Sequence, residues 1–392
     1  MIRYLTAGES HGKGLNVIID GVPSNLRIEE DYLNFILSER QKGYGRGGRQ
    51  QIENDRVEIL SGIRFGKTTG APVSVFIKNN DYENWKKRMS VFPPGITEDE
   101  FIVPRPGHAD FAGGIRFNQR DLRNVLERAS ARETAARIVT GAICKILLKE
   151  FDIETFGYVT NIAGISTAID KKLSFEQIVK RITDNTKKFR VDLRYPDSDK
   201  IRQIIGKINN AMKNGDTVGG VIKIITKGVP PGLGDYTQWD KKLDGKIAMA
   251  LMSLQSIKGV EFGAGFSYAN IQGSVIHDAI YYSKGRGYFR KTNNAGGLEG
   301  GVTNGCQISV QAVVKPISTL KKGIDSINIK TRKKSRTIYE RSDVCVVPAA
   351  ALIAENLIAI EITNSLMEQT GCVELNLMKE NYKNYLKRIK RY

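Results

Sequence analysis

Of the three histidines in the chain, two sit in glycine-rich turns: His11 in Gly8-Glu9-Ser10-His11-Gly12, and His108 in Arg105-Pro106-Gly107-His108-Ala109-Asp110. Small neighbours let a backbone approach a ligand closely, and imidazole exchanges a proton near neutral pH, so both are candidate acids or bases. The third, His277, lies in no such turn, and a structural role is expected for it. No His-x-His or His-Glu-x-x-His spacing occurs, so no metal site is expected.

Cations and a carboxylate accompany the histidines. The run Arg40-Gln41-Lys42-Gly43-Tyr44-Gly45-Arg46-Gly47-Gly48-Arg49 threads glycines between cations, a loop that can wrap a multiply anionic ligand with bidentate guanidinium contacts. Its GRGGR core also resembles the RGG boxes of RNA-binding tails, although it lies between a helical and a strand-like segment. From the loop alone, a phosphate or carboxylate clamp, an RNA contact and a solvated loop all stay open. Glu127-Arg128-Ala129-Ser130-Ala131-Arg132-Glu133-Thr134 leads into a helical pattern, where hydroxyls, arginines and N–H groups make either a phosphate site or an ordinary capped start. Asp343, just ahead of an apolar helical stretch, is either a proton-handling carboxylate or a plain capping aspartate. Residues 293–305 hold five glycines but no Gly-Lys-Ser/Thr, so they form neither a P-loop nor a dinucleotide fingerprint. They suggest backbone packed against a flat or phosphorylated ligand, or else a mobile loop. Together these groups predict a deep cationic site with two histidines and one aspartate.

The elements that must position them are mixed. Leu15–Ile19 and Val221–Thr226 read as strands running into Gly-Val-Pro turns, and further short strands are expected at Arg56–Ser61 and around Val75, Val260, Ile308 and Val313. Helical spacing covers Glu29–Arg40, Arg132–Glu150, residues 172–190 and Ala349–Glu368, the last beginning after Pro348 and closing at Gly371. Strands come in runs instead of alternating with helices, which favours an α+β fold. The Lys/Arg-rich tail, NYKNYLKRIKRY, reads as an exposed end. A weak repeat relates residues 8–23 to residues 215–230 at an offset of 207, with six of sixteen positions identical, and a second echo relates GAPVSV from Gly70 to GCQISV from Gly305. Only the first copy carries a histidine; Val218 stands where His11 does. The echoes are either chance similarity between Gly-flanked strands or a duplication; a duplication gives a fold of two related halves with one working site, as a single domain over 1–392 with halves near 1–205 and 206–392.

Composition bounds the reading. With 392 residues, 41% hydrophobic and 26% charged, the chain has the make-up of a folded protein with a sizeable core, not of a disordered or fibrous one. The formal charge of +18 is either a solvated surface or a field for anions such as nucleic acid, anionic lipid or a phosphorylated metabolite. Cys144, Cys306, Cys345 and Cys372 are too scattered for a zinc or disulfide framework, so reduced, mostly buried thiols are expected. The first residues lack the apolar core of a signal peptide, and Val344–Ile360 is broken by Pro348, Glu355 and Asn356, so a cytoplasmic location without a membrane partner is expected.

The motifs GESHGKG at 8–14, RPGHAD at 105–110, LERASARETAAR at 126–137, NNAGGLEGG at 293–301 and RSDVCVVPA at 341–349 resemble, in family order, those of chorismate synthases. The resemblance implies a β-α-β sandwich built from two similar halves as one compact unit, assembled as a homotetramer. It implies a lyase of the shikimate pathway of aromatic amino acid biosynthesis that eliminates phosphate from 5-enolpyruvylshikimate 3-phosphate to give chorismate. Reduced FMN (FMNH2) is required without net redox change; NADPH serves only in bifunctional members, and others depend on an external flavin reductase. By the same resemblance His11 faces the leaving phosphate, His108 stands beside the flavin, and Asp343 handles the substrate proton. Arg128, Ala129, Ser130, Gln255, Ser256, Gly300, Lys315, Pro316, Ile317, Ser318, Thr319 and Arg341 match flavin contacts. Arg40, Arg46 and Arg49 match anion-binding arginines for substrate or NADP. The chain departs from the family at Gln41-Lys42, where many members have Arg-Pro, at Ser342, where a histidine is common, and across residues 160–215, which match loosely. The alternative from another class is a basic nucleic-acid-binding protein using the GRGGR loop and the basic tail; scarce aromatics beside that loop weigh against it.

Overall fold

Strict alternation shapes the first sheet. Leu15, Val17 and Ile19 turn inward while Asn16, Ile18 and Asp20 turn outward, and Val73, Val75 and Ile77 repeat the pattern opposite them. The computed structural model describes residues 1–47, 54–92, 100–169, 173–340 and 342–392. Strands β1 (Arg3–Ala7), β2 (Gly14–Asp20), β3 (Val57–Ser61) and β4 (Val73–Lys78) form an antiparallel sheet in the order β1-β2-β4-β3. A second antiparallel sheet contains β5 (Glu154–Ile162), β6 (Ile165–Ser166), β7 (Gly220–Lys227), β8 (Ile257–Phe262) and β9 (Ile308–Val314), in the order β8-β9-β7-β5-β6.

The two sheets share a wiring pattern. Read from the other edge, β5-β7-β9-β8 repeats β1-β2-β4-β3, with β6 appended to β5. Ile18 faces Ser74 in the first sheet and Ile225 faces Ser309 in the second, so both partners are displaced by the offsets of the two sequence echoes. The exits match as well. Gly21 after β2 has φ +85° and Gly228 after β7 has φ +81°, and a Cβ there would lie 2.3 Å from Met1 O and 2.0 Å from Asp152 O, respectively. Each Gly-Val-Pro turn therefore needs its glycine, because the neighbouring chain passes against the turn.

Among the helices of the core are α1 (Glu30–Gln41), α2 (Thr134–Lys149), α3 (Leu243–Met252), α4 (Val347–Thr370) and α5 (Leu375–Arg391). α2 packs on β1 and β2, α4 packs on β5 and β7, and the two helices pack against each other. α1 follows β2 and packs on β3, while α3 follows β7 and packs on β8. α4 is long and apolar enough to cross a membrane, but it is buried within the protein, and its Glu355 carboxylate is held by Lys145, by Arg194 at 2.7 Å and by Gly157 N–H at 2.8 Å. It begins at Val347, with Pro348 inside its first turn and not ahead of it. The expected exposed tail is instead α5, an amphipathic helix. Leu375, Met378, Tyr382 and Tyr385 are buried at three- and four-residue spacing, and the Tyr385 hydroxyl donates to Pro231 O at 2.6 Å.

Candidate active site

A cavity of about 490 Å³ opens where four connections converge: the turn before β2, the entry to α2, the loop after β9, and the segment before α4, with residues 105–109 closing one side. It gathers His11, His108 and Asp343, and with them Arg40, Arg46, Ala129, Ser130, Gln255, Ser256, Lys315, Ile317, Ser318 and Thr319.

At one end, His11 is tied to a helix more than a hundred residues away. Its Nδ1 lies 2.9 and 3.0 Å from the two carboxylate oxygens of Glu127, and its backbone N–H donates to the same carboxylate at 2.8 Å. Glu127 is wholly buried, and Arg123, one turn earlier, donates to it at 3.3 Å. Burial alone would raise the Glu127 carboxyl, but the bonds from His11 outweigh that and lower it. Arg123 also donates to Glu340 at 2.9 Å. The indole of Trp85 stacks on the His11 ring, 3.8 Å between centroids.

The second histidine repeats the theme. His108 Nδ1 lies 2.5 Å from Asp110 Oδ1, and Arg105 grips the same carboxylate through Nε at 2.8 Å and a terminal nitrogen at 3.1 Å. Burial acts to raise the Asp110 carboxyl, yet the hydrogen bonds from His108 and Arg105 hold it well below the usual carboxylate range. Arg105 also stands 3.0 Å from His108 Nδ1. An ionised carboxylate only accepts, so the shorter contact, to Asp110, assigns the Nδ1 proton to the histidine. Arg105 further donates to Thr319 at 2.9 Å, which ties this wall to the loop after β9.

Also on the lining, Asp343 accepts from Gly47 N–H at 2.6 Å and pairs with Arg46 at 3.1 Å. The described part of the Arg-Gly loop, Arg46 and Gly47, is therefore packed into the wall. Arg40 is buried and donates to Thr134 at 3.0 Å and Ala131 O at 3.1 Å. Lys315 contacts Gly107 O; burial, then Lys258 and Arg105 nearby, push its ammonium down. Leu126, Leu254, Val346, Ala349, Ala350 and Ile353 give the cavity an apolar side.

Other expected residues lie elsewhere. Arg128 is exposed and donates to Thr6 at 2.9 Å, outside the cavity lining, and Pro316 does not line it either. Gly300 is exposed in the turn between Leu298–Glu299 and Val302–Thr303, with open space around it. Arg49 and Arg341 lie outside the described residues. The start of the glycine-rich stretch 293–305 packs on protein: a Cβ on Gly296 would lie 2.4 Å from Gly263 N, and Asp278 caps Asn294 and Ala295 N–H at 2.8 Å each. His277 is exposed and away from the cavity. Sequence reasoning missed Glu127, Asp110 and Arg105 as working groups although all three stand inside quoted motifs. It also missed Trp85, for which no local signal exists.

Comparison with known proteins places these features in context. A family model described as "Chorismate synthase" matches residues 2–367. The chain is 46% identical over 393 residues to "Chorismate synthase" of Aquifex aeolicus (strain VF5), covering 100% of this chain and 99% of the relative. It is 47% identical over 391 residues to "Chorismate synthase" of Caldanaerobacter subterraneus subsp. tengcongensis, covering both chains fully. A solved structure titled "Crystal Structure of Chorismate Synthase" superposes with a TM-score of 0.78 at 38% identity, covering 100% of this chain and 99% of the other.

Proposed function

The chain belongs to the chorismate synthase family, and from that premise we propose how its cavity carries the family's reaction. It is a lyase that eliminates phosphate and a proton, in a 1,4 sense, from 5-enolpyruvylshikimate 3-phosphate to give chorismate. The family requires reduced flavin although the reaction has no net redox change. When bound, reduced FMN supplies electron density that assists the departure of phosphate and is recovered within the turnover. The cavity suits such a group: its apolar side accepts a flat ring, and Gln255 Oε1 is buried with no hydrogen-bond partner, an acceptor for a ring N–H. Ala129, Ser130, Gln255, Ser256, Lys315 and Ser318 would hold it.

The chain's own groups then divide the work. His11, as imidazolium, donates from Nε2 to the phosphate oxygen that leaves, and its charge offsets the charge developing there. His108 keeps its Nδ1 proton, donated to Asp110, and would hold or move a proton at Nε2 where the flavin binds. Arg46, whose Nε is buried without a partner, meets a substrate anion, and Asp343 beside it receives the substrate proton. Arg40 lines the same wall; Arg49 and Arg341 join the anion and flavin contacts by resemblance. The observation that carries the reading is one cavity holding two histidines, each with Nδ1 on a buried carboxylate, together with the Arg46–Asp343 pair.

Phosphate release from 5-enolpyruvylshikimate 3-phosphate, followed anaerobically, tests it. Turnover with chemically reduced FMN alone marks a monofunctional enzyme served by an outside flavin reductase; turnover with NADPH and oxidised FMN marks a bifunctional one. No phosphate under either condition removes the reading. We further read the molecule as a cytoplasmic homotetramer of chains with two similar halves. The matched strand registers support the halves. Exposed Leu5, Ile18, Met249, Met252, Val313 and Phe266 supply apolar surface for subunit contacts. Light scattering should give four times 43.6 kDa, and a monomer mass would overturn the assembly.

A further inference from the structure

His11 is gripped more tightly than a histidine needs for packing. The Glu127 carboxylate meets its Nδ1 at 2.9 and 3.0 Å and its backbone N–H at 2.8 Å, while Glu127 O accepts from Ser10 N–H at 3.1 Å. Main chain and side chain of one helical residue thus hold both the histidine ring and its turn. Trp85 covers a ring face at 29° interplanar angle, and its indole N–H donates to Asp81 at 3.1 Å. An ionised carboxylate only accepts, so the ring nitrogen facing it must carry a proton.

We propose that Glu127 is a positioning residue for the elimination: it fixes a proton on His11 Nδ1 and holds Nε2 as the atom through which His11 serves the departing phosphate. This rests on the role of His11 proposed above. Free in water, a neutral imidazole favours its proton on Nε2, and a ring in that form would present a donor in both charge states. With the Nδ1 proton held by Glu127, the labile proton of the cation is the one on Nε2. As the substrate C–O bond breaks, its electron pair goes to the phosphate oxygen, the Nε2 proton follows, and a neutral ring remains with its Nδ1 proton in place. The balance is closed by a solvent proton returning to Nε2. The charged groups around the pair are Arg123 on the same helix, Glu340 beyond it at 2.9 Å from Arg123, Glu9 in the histidine turn, and Asp81 and Arg88 through Trp85. Arg123 balances Glu127 and Glu340 together, so the site keeps a full carboxylate for His11 to lean on.

The chain has three histidines, so the ring signals of 15N-histidine-labelled protein can be assigned with His11→Ala and His108→Ala variants. The expected spectrum of the full-length protein shows neutral His11 protonated at Nδ1. In Glu127→Gln the amide can donate or accept, so the proton should divide between the two nitrogens. Its kcat should fall roughly 10-fold or more, with the alkaline limb of the kcat profile moved to lower pH and KM changed less than about 3-fold. Glu127→Asp, which restores the charge, should recover part of the loss. Neutral His11 protonated at Nε2 in the native protein, or an unchanged pH profile in Glu127→Gln, would overturn the inference. Where Glu127→Gln does not fold, the native spectrum and Glu127→Asp still decide. The tautomer is read without turnover, so a fully active His11→Ala variant would strike at the role of His11, whereas the wrong tautomer strikes at Glu127 alone.

Discussion

The turn before β2 and the turn before β7 stand at matching places in two sheets of the same strand order, and they do the same mechanical job with different side chains. In the first, Ser10 and His11 N–H groups bind Glu127, which anchors the 127–130 wall of the cavity. In the second, the Thr217 hydroxyl donates to Ile317 O at 2.7 Å and Val218 N–H donates to Val344 O at 2.9 Å, which anchors the 315–319 loop and the segment after Asp343. Each turn therefore pins part of one shared site. Only the first exposes an imidazole to it; Val218 packs half-buried against the core. The two turns share the backbone anchoring, and only one of them sets a titratable ring on the cavity wall.

The sharpest test sets the two positions against each other. His11→Ala should lower turnover about 10²-fold or more, the range of lost acid help, with flavin still bound, whereas Val218→Ala should leave turnover within about 3-fold. Equal losses in stopped-flow phosphate release would break the comparison. Next in size is Asp343→Asn, immediately before Val344, whose carbonyl Val218 N–H holds. It keeps the Gly47 N–H contact but removes the charge opposite Arg46, and kcat should fall roughly 10²-fold if Asp343 takes the substrate proton. A variant with native kcat would leave the second turn supporting no reacting group.

Much of this was legible in the sequence, for reasons that are local. His11, His108 and Asp343 stood out because glycine-rich turns and a helix entry are written in contiguous residues, and the offset of 207 was visible because a strand and its turn repeat as a block. What was hidden is long-range. Nothing near Glu127 says that it meets His11, 116 positions away; its motif read only as a helix start. Trp85 sits in a four-residue helical turn without pattern, and its stack on His11 exists only in the folded chain. The 293–305 glycines are ambiguous in the sequence because tight backbone packing on protein and on ligand demand the same residue; here Gly263 is the neighbour of Gly296, while Gly300 has open space around it. The tail was misread because its charge masked the Leu375, Met378, Tyr382 and Tyr385 stripe.

The turns should also differ in acid. Burial opposes ionisation of Glu127, yet the bonds from His11 hold its carboxyl low, whereas Asp216, the counterpart of Glu9, is held low by Lys322 at a solvated surface. A carboxyl lowered by folding stabilises the protein above its unfolded value, about 4.3 for Glu, and that contribution is lost as pH falls through the lowered folded value. Thermal midpoints measured below about pH 4 should therefore drop in the native protein and drop as steeply in Asp216→Asn. Glu127→Gln should start lower at neutral pH and lose less over that window. An Asp216→Asn variant with a flattened acid limb would place the sensitive carboxylate at the wrong turn.

The smallest effect is the most discriminating about support without chemistry. Thr217→Val keeps shape and removes one hydrogen bond, leaving Ile317 O to find another donor. A neutral bond of this kind contributes about 1 kcal/mol, which for a chain of this size is a thermal shift of about 1 °C. The loop it holds carries Lys315 and Thr319, and Thr319 is the hydroxyl to which Arg105 donates. Loosening it should therefore raise the concentration of flavin needed for half-maximal rate by a few-fold while kcat at saturating flavin holds. Ser10→Ala, the matching change at the first turn, removes the hydroxyl bonded to Ser130 at 3.1 Å inside the cavity and should affect kcat as well. If Thr217→Val moved kcat as much as Ser10→Ala, the second turn would be shaping the reacting groups themselves and not only the wall behind them.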